Sequence, residues 1–294
     1  MKRALIVCAT IGTIVALANV GSAQPQGITP DMISRTLPLE GAPLAVPGPY
    51  EVTSGAAFGL PGYVAFHPTD LGAFPSQDSL PIMAWGNGGC AIDSTRYSEF
   101  LSTIASHGFL VLSTVPVEGG AGRATADHLS AALDWAEDEN ARDGSPLEGK
   151  IATDQMAVMG QSCGGFLSVT LGGDPRVGTI APFNSGVTGA QMSELDALHG
   201  PVLLINGGEV DFMYETSAAN FDAINDLPAF YGARDNAGHT ATVFHPGGGE
   251  FANVASNWLR YVFKDNEEAG AMFVGADCTL CTDSNWETRS KGLE

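Results

Sequence analysis

The stretch VMGQSCGGF, residues 158–166, places Ser162 between Gly160 and Gly164 in the pattern G-x-S-x-G. An apolar strand pattern precedes the serine, and small residues suited to the start of a helix follow it. Glycines at these two positions permit a strained strand-to-helix turn that lifts the serine hydroxyl above a sheet. A chance match is the alternative in a chain with 37 glycines, but strand, turn and helix occur here in register. We therefore predict that Ser162 is a nucleophile.

Extended and helical patterns alternate on both sides of this turn. Segments 50–58 and 62–68 predict an antiparallel pair, and buried-strand patterns then alternate with helices at about 95–106 and 124–141. This alternation predicts an α/β protein with a mostly parallel central sheet and helices on both faces. Residues 186–201 form a segment too short for a large lid.

Three histidines follow the serine and compete for the role of catalytic base. In an α/β fold of this kind the chain order is serine, acid, histidine. His199 precedes the strand expected to carry the acid, which is the wrong order. His239 follows a strand pattern in a loop marked by glycine, and His245 precedes Pro246, where it lines the cleft or faces solvent. We expect His239 to be the base.

The acid is expected after the apolar strand LLIN, residues 203–206, where Glu209 and Asp211 follow a glycine pair. Loops at the carboxyl ends of parallel strands carry the catalytic groups in this architecture. Either carboxylate meets that condition, and each is also compatible with a solvated loop charge. We favour Asp211.

Two backbone N–H groups are needed to bind the oxyanion that develops in acyl transfer. One belongs to the residue after the nucleophile, Cys163, and the other to the loop after an earlier strand. That loop is AWGNGGCAID, residues 84–93, so Gly89 or Cys90 is expected to supply the second donor.

This placement also predicts a disulfide. If the amides of Cys90 and Cys163 both lie about 3 Å from one oxygen, their Cα atoms are roughly 5 to 7 Å apart, which a disulfide spans. A second bridge, between Cys278 and Cys281, would close a small loop in the tail. The alternative for the first pair is that Cys163 is a small buried residue and Cys90 an unrelated thiol. The alternative for the second pair is a fortuitous C-x-x-C.

The first residues have the layout of a secretory signal peptide. Lys2 and Arg3 precede an apolar run to about Val20, which is shorter than the roughly 18 or more residues of a membrane anchor, and small residues follow. We expect cleavage after Ala23, a Pro- and Gly-rich lead-in over 24–48 and a catalytic domain over 49–294. The mature protein should be secreted or periplasmic, without a membrane anchor.

Composition excludes several partners. The formal net charge of −20 disfavours nucleic acid, because phosphate binding uses clustered Lys and Arg. No H-E-x-x-H or comparable metal motif occurs, and Cys278 with Cys281 lacks the second pair of a zinc site. We expect no cofactor, no metal and a monomer.

Several motifs together carry a family resemblance. The segments ASHGFLVLSTV and DPRVGTIAPFNSG, with the serine turn and the acid and histidine loops, make the chain resemble the secreted α/β-hydrolases of the cutinase, polyester hydrolase and dienelactone hydrolase-like group. A closer resemblance is to a little-characterised set that shares GNGGC, GQSCGG and a C-terminal tail with C-x-x-C.

The resemblance implies Ser162 as nucleophile, Asp211 as acid and His239 as base, with oxyanion donors at Cys163 and about Cys90. Dienelactone hydrolases use a cysteine nucleophile, whereas this turn carries serine. Polyester hydrolases often have a tryptophan after the segment that matches IAPFNSG, and this chain lacks it.

An aromatic substrate surface is therefore expected elsewhere, from Phe212, Tyr214 and Phe244. The leading hypothesis is a secreted serine esterase that acts on carboxylic esters, including polyester- or cutin-like ones, through an acyl-enzyme. The alternatives are a serine peptidase or amidase and a non-catalytic binding protein on the same scaffold.

Overall fold

The computed structural model describes residue 39 and residues 41–118 and 122–294. The predicted signal peptide and residues 24–38 and 40 of the predicted lead-in lie outside this part of the chain.

In the described residues, nine strands form one sheet in the order β1-β2-β4-β3-β5-β6-β7-β8-β9. The strands are Val52–Ala56 (β1), Tyr63–Pro68 (β2), Leu80–Gly86 (β3), Leu110–Thr114 (β4), Ile151–Gln161 (β5), Val177–Phe183 (β6), Val202–Asn206 (β7), Ala229–Arg234 (β8) and Trp286–Lys291 (β9). Strands β3 to β8 run parallel, whereas β1, β2 and β9 pair antiparallel with their neighbours. The opening antiparallel pair and the mostly parallel sheet agree with the sequence prediction.

The helices cover both faces of this sheet. They are Ser98–Ser106 (α1), Ala126–Ala141 (α2), Cys163–Leu171 (α3), Tyr214–Ala223 (α4), Gly249–Lys264 (α5), Glu267–Gly270 (α6) and Thr279–Thr282 (α7). Within the described ranges, no helix is both long enough and apolar enough to cross a membrane.

The central strands have apolar residues on both sides because each face of the sheet is covered. Along β3, Ile82 and Ala84 lie in one core, and Met83 and Trp85 lie in the other. This alternation follows from the two-residue period of a strand. Helices α2, α3 and α4 pack on the first core, and α1 and α5 pack on the second.

The tail forms the edge strand β9 beside β8, which was not predicted from the sequence. Its sequence, WETRSK, is polar after Trp286 and has no apolar alternation. Backbone pairing and one aromatic anchor hold it, since the Trp286 indole donates a 2.8 Å hydrogen bond to the buried carboxylate of Glu250. Periodicity alone does not reveal such a strand.

Three loops at one edge of the sheet carry the residues that the sequence singled out. Strand β5 ends directly before Ser162, β7 ends five residues before Asp211, and β8 ends five residues before His239. Parallel strands bring their carboxyl ends to the same edge. Between β6 and β7, the chain forms one 3-10 helix, Gly189–Ala197, where the sequence predicted no large lid.

Candidate active site

Ser162 occupies a strained turn between β5 and α3. Its backbone has φ 53° and ψ −120°, which an L residue rarely adopts. A Cβ atom at Gly160 would overlap the backbone of Gly164, and a Cβ atom at Gly164 would overlap the carbonyl of Gly86. Glycine is therefore required on both sides of the serine, because the turn presses against β3.

Ser162, His239 and Asp211 form one hydrogen-bonded chain. His239 Nε2 lies 2.8 Å from Ser162 Oγ, and His239 Nδ1 lies 2.8 Å from Asp211 Oδ1. Asp211 and His239 are buried, at 1% and 5% exposure. With the carboxylate accepting from Nδ1–H, the nitrogen that faces the serine is left to accept the hydroxyl proton.

The Asp211 carboxylate is held in its charged form by several donors. Besides His239, the Asn184 amide donates to Oδ2 at 2.7 Å and the Met213 backbone amide donates to Oδ1 at 3.0 Å. Burial raises the pKa of this carboxyl, but the hydrogen bonds from His239, Asn184 and Met213 outweigh burial and lower the pKa below its usual range. The acid therefore keeps its negative charge next to the imidazole.

The competing residues lie apart from this chain of hydrogen bonds. Glu209 is exposed and lines a separate cleft with Tyr214. His199 is exposed, and its Nε2 lies 3.0 Å from the Asp174 carbonyl. His245 is half-buried before the 3-10 helix Pro246–Gly248, and it is His239 whose ring nitrogen reaches Ser162.

Sequence reasoning missed two polar contributors. Asn184, at φ 49° after β6, binds both Asp211 and the Gly238 carbonyl. The sequence signal for Asn184 is that a polar residue comes directly after a buried strand. The same rule pointed to the loop of Asp211. Gln161 occupies the first x position of the G-x-S-x-G pattern, and nothing in the sequence indicates its hydrogen-bond partners.

Gln161 joins the loop after β3 to the histidine loop. The Gly88 amide donates to Tyr97 Oη at 2.8 Å, and the Tyr97 hydroxyl donates to Gln161 Oε1 at 3.1 Å. Gln161 Nε2 then donates to the His239 carbonyl at 2.8 Å. Burial raises the pKa of Tyr97 to about 12, so its hydroxyl remains a donor at neutral pH.

The two predicted oxyanion donors differ in their surroundings. Cys163 is the first residue of α3, where backbone N–H groups have no partner within the helix. The Cys90 amide instead donates to the Asn87 carbonyl at 3.1 Å and closes a tight turn. That use argues against Cys90 as the second donor and leaves Gly89, at φ 65° on the wall of the Ser162 cleft.

Both predicted cysteine pairs are placed for disulfide bonding. The Cα atoms of Cys90 and Cys163 are 5.1 Å apart, within the range expected from sequence, and those of Cys278 and Cys281 are 4.9 Å apart. The first pair joins the loop after β3 to the start of α3.

The cleft that contains Ser162 has a volume of about 250 Å³. Phe244 lines it, together with Gly88, Gly89 and Arg96. A larger cavity of about 700 Å³, lined in part by Arg123, does not include the serine.

The three predicted substrate aromatics have separate positions. Phe244 lies in the cleft, and Phe212 stacks on the imidazole of His239 with ring centroids 3.9 Å apart. Tyr214 lines a separate cleft, where its hydroxyl donates to Glu287 of β9 at 2.6 Å. It is therefore not among the residues that line the Ser162 cleft, and its role in substrate binding stays a prediction.

Searched over the described ranges, the protein has no group of three or more His, Cys, Asp or Glu side chains arranged to hold a metal ion.

A parallel sheet with serine, acid and histidine at its carboxyl edge, in that chain order, defines an α/β-hydrolase. Comparison with protein families matches residues 42–289 to the PETase family, described as PET hydrolase-like. The chain belongs to this family, which consists of hydrolases that act on esters. A search of curated proteins finds no match.

The predicted α/β-hydrolase fold is thereby confirmed, and the predicted likeness to polyester hydrolases is confirmed at the level of the family. The narrower likeness through GNGGC, GQSCGG and the C-x-x-C tail stays a prediction.

Proposed function

We propose that the protein is an exported serine esterase that cleaves carboxylic esters through an acyl-enzyme on Ser162. The observation that supports it is the unbroken hydrogen-bonded chain from Ser162 Oγ through the two His239 nitrogens to Asp211 Oδ1, with both distances 2.8 Å. This arrangement is the one required for a serine hydroxyl to act as a nucleophile at neutral pH.

In the first half-reaction, Ser162 Oγ attacks the ester carbonyl carbon while His239 Nε2 accepts the hydroxyl proton. The carbonyl oxygen becomes an oxyanion, for which the backbone amides of Cys163 and Gly89 are the proposed donors. Collapse of the tetrahedral intermediate breaks the bond to the alcohol oxygen, and His239 gives its proton to the departing alcohol.

In the second half-reaction, water replaces the alcohol. His239 accepts a proton from the water, whose oxygen attacks the acyl carbon, and the proton then returns to Ser162 Oγ as the carboxylic acid leaves. Asp211 holds the imidazole in one tautomer and stabilises the imidazolium that forms twice in each cycle.

The open cleft supports small and medium acyl groups. Its volume of about 250 Å³ and the absence of a large insertion between β6 and β7 favour substrates that enter without lid movement. Phe244 is the proposed aromatic surface for the substrate, and Phe212 supports the base. Family membership supports polyester- or cutin-like esters as the substrate class.

The proposed cellular setting follows from the leader and the cysteines. A signal peptide ending at Ala23 and two cysteine pairs placed for bonding support export to the periplasm or the medium, because disulfides persist in oxidising compartments. The proposed mature protein is a monomer with residues 49–294 as its catalytic domain, and the reaction needs neither cofactor nor nucleic acid.

Fluorophosphonate labelling tests the proposal. We expect Ser162 to be labelled in the wild type, the Ser162→Ala variant to remain unlabelled, and the Ser193→Ala variant, which changes an exposed serine elsewhere, to label normally. An unlabelled wild-type protein would favour a non-catalytic binding protein.

Substrate class is tested with p-nitrophenyl esters from acetate to palmitate, an insoluble polyester film and a matched anilide series. Rapid cleavage of anilides with negligible ester cleavage would favour the peptidase or amidase alternative.

A further inference from the structure

Arg96 and Phe244 form one wall of the cleft that contains Ser162. The guanidinium carbon of Arg96 lies 4.3 Å from the centroid of the Phe244 ring, which is cation–π geometry. The ring is itself held by Tyr97, with centroids 5.0 Å apart. We call this pair the Arg96–Phe244 wall.

Arg96 has no carboxylate partner in the part of the chain that the structure describes. Among the described residues, no acidic oxygen lies within 4.0 Å of the Arg96 nitrogens, although the chain has 33 Asp and Glu. The acidic residues nearest in sequence have other contacts: Asp93 accepts hydrogen bonds from Thr95, and Glu99 accepts one from the Gly247 amide.

Four other arginines of the described residues show what this position lacks, although Arg123 and Arg260 share its lack of an ion pair. Arg142, Arg176, Arg234 and Arg289 each form an ion pair with at least one carboxylate. Arg142 is the closest comparison, because it also lies 4.3 Å from a phenylalanine ring, that of Phe58, and yet pairs with Glu139. The Arg96–Phe244 wall is therefore a cation on an aromatic ring, and its planar set of N–H donors has no acidic partner within the described ranges.

A guanidinium that has no acidic partner among the described residues is suited to bind a carboxylate on the substrate. Its planar donors bind carboxylate oxygens in pairs, and the ring below it packs against the apolar or aromatic part of the same molecule. The net charge of −20 repels anions at long range, so an anionic substrate needs a local cation to bind in the cleft.

We propose that the cleft selects esters whose acyl part carries a free carboxylate, that is, monoesters of dicarboxylic acids such as those at the ends of a cleaved polyester chain. The inference rests on the proposed esterase function. Arg96 contacts the carboxylate of the acyl part, which stays on the enzyme after the alcohol leaves, so the contact serves both half-reactions.

The test compares two substrates of the same length, mono-p-nitrophenyl adipate and p-nitrophenyl hexanoate, corrected for spontaneous hydrolysis. The readout is the ratio of their kcat/KM values, which isolates the carboxylate. We expect Arg96→Gln to lower this ratio about tenfold and Arg96→Lys to lower it less, because lysine keeps the charge but not the paired donors. Arg142→Gln, which removes an arginine from the matched site at Phe58, leaves the ratio unchanged.

A second measurement compares the salt effect in the wild type and in Arg96→Gln. Raising NaCl from about 20 mM to about 500 mM screens the long-range repulsion in both proteins, but it also screens the Arg96 contact in the wild type, so the adipate-to-hexanoate ratio of wild type relative to Arg96→Gln should fall. A relative ratio that does not change with salt would contradict a charge contact at Arg96.

A ratio for Arg96→Gln within twofold of wild type, or an Arg142→Gln ratio that falls equally, overturns this inference while leaving the esterase intact. If the wild type hydrolyses neither ester, the proposed function fails and the inference falls with it.

Discussion

The side chain of Gln161 donates a 2.8 Å hydrogen bond to the backbone carbonyl of His239, so the residue before the proposed nucleophile holds the loop of the proposed base. The far end of the same side chain accepts from the Tyr97 hydroxyl, which also binds the Gly88 amide. The serine turn, the histidine loop and the loop after β3 are thus joined by one network of hydrogen bonds.

Tyr97→Phe tests this network. Removing the hydroxyl takes away the hydrogen-bond partner of the Gly88 amide and of Gln161 Oε1. The loop after β3, which carries the proposed oxyanion donor, is then less well held, while the cleft keeps its shape. We expect kcat to fall about tenfold and KM to change less, because the loss acts mainly on the transition state. Tyr261→Phe is the matched control, since that hydroxyl binds the Glu294 carbonyl at the surface. Equal effects of the two variants would show that the network does not position the site.

The roles of serine and histidine are tested by truncation. Ser162→Ala and His239→Ala should each lower kcat by at least a thousandfold while the protein stays folded, since each removes a member of one unit. His199→Ala, an exposed histidine bound to a backbone carbonyl, should leave kcat within twofold. Circular dichroism checks folding, and activity of Ser162→Ala within tenfold of wild type would contradict the assignment.

The pH dependence of stability reports on Asp211. Its folded pKa lies below the usual value of about 3.9. A carboxyl with a lowered folded pKa contributes stability that is present above the unfolded pKa and is lost as pH falls through the folded pKa. The difference in free energy of unfolding between wild type and Asp211→Asn should therefore shrink as pH falls below about pH 4.

Urea unfolding at each pH measures this difference. Asp226→Asn, at an exposed aspartate, should change the free energy of unfolding by less than about 0.5 kcal/mol across the range. A wild-type advantage over Asp211→Asn that grows as pH falls below about pH 4 would contradict the lowered pKa.

The bridge between Cys90 and Cys163 should matter for turnover. Cys90→Ser is expected to lower kcat more than it raises KM, because the bridge holds the Gly89 loop against the start of α3 before substrate arrives. The double substitution of Cys278 and Cys281 by serine should leave kcat within twofold, since that pair lies in the tail. Non-reducing peptide mapping is the direct check, and free Cys90 and Cys163 thiols in active enzyme would refute the bridge.

Glu250 joins three elements in the interior. Its carboxylate accepts from Arg234 Nε at 3.0 Å and from the Trp286 indole at 2.8 Å, which ties α5 to β8 and β9. Glu250→Gln leaves a buried arginine without its counter-charge, and we expect a loss of about 3 to 5 kcal/mol in the free energy of unfolding. Asp222→Asn, at the exposed pair with Arg289, should cost less than about 1 kcal/mol. Denaturant titration of both variants measures the two losses in free energy of unfolding. Equal losses would show that burial of the ion pair does not set the difference between them.

The residues that sequence reasoning placed best are those governed by chain order and strand ends. The G-x-S-x-G motif indicated Ser162, the strand-end rule indicated the loop of Asp211, and chain order indicated His239; in the structure, each of the three follows a strand at the same edge. The bridge between Cys90 and Cys163 was predicted on the assumption that both amides face one oxygen. The Cα atoms are 5.1 Å apart, as expected, although the Cys90 amide donates to Asn87.

The residues that were missed depend on contacts between distant segments. Gln161 binds Tyr97 across 64 positions, and Asn184 binds Asp211 across 27, so neither partner is visible in a local pattern. The sequence left the second oxyanion donor open between Gly89 and Cys90. The Cys90 amide donates to the Asn87 carbonyl, a contact that composition does not determine.

The polar strand β9 has a consequence for colloidal behaviour. Without it, β8 would present a row of unpaired backbone groups on a hydrophobic strand, which is a template for pairing between molecules. Glu287, Arg289 and Lys291 alternate along β9, and such charges oppose the docking of another chain on the outer edge. Strand β9 therefore protects the sheet from aggregation. A chain that ends before Trp286 is expected to precipitate at concentrations where the full chain remains dispersed.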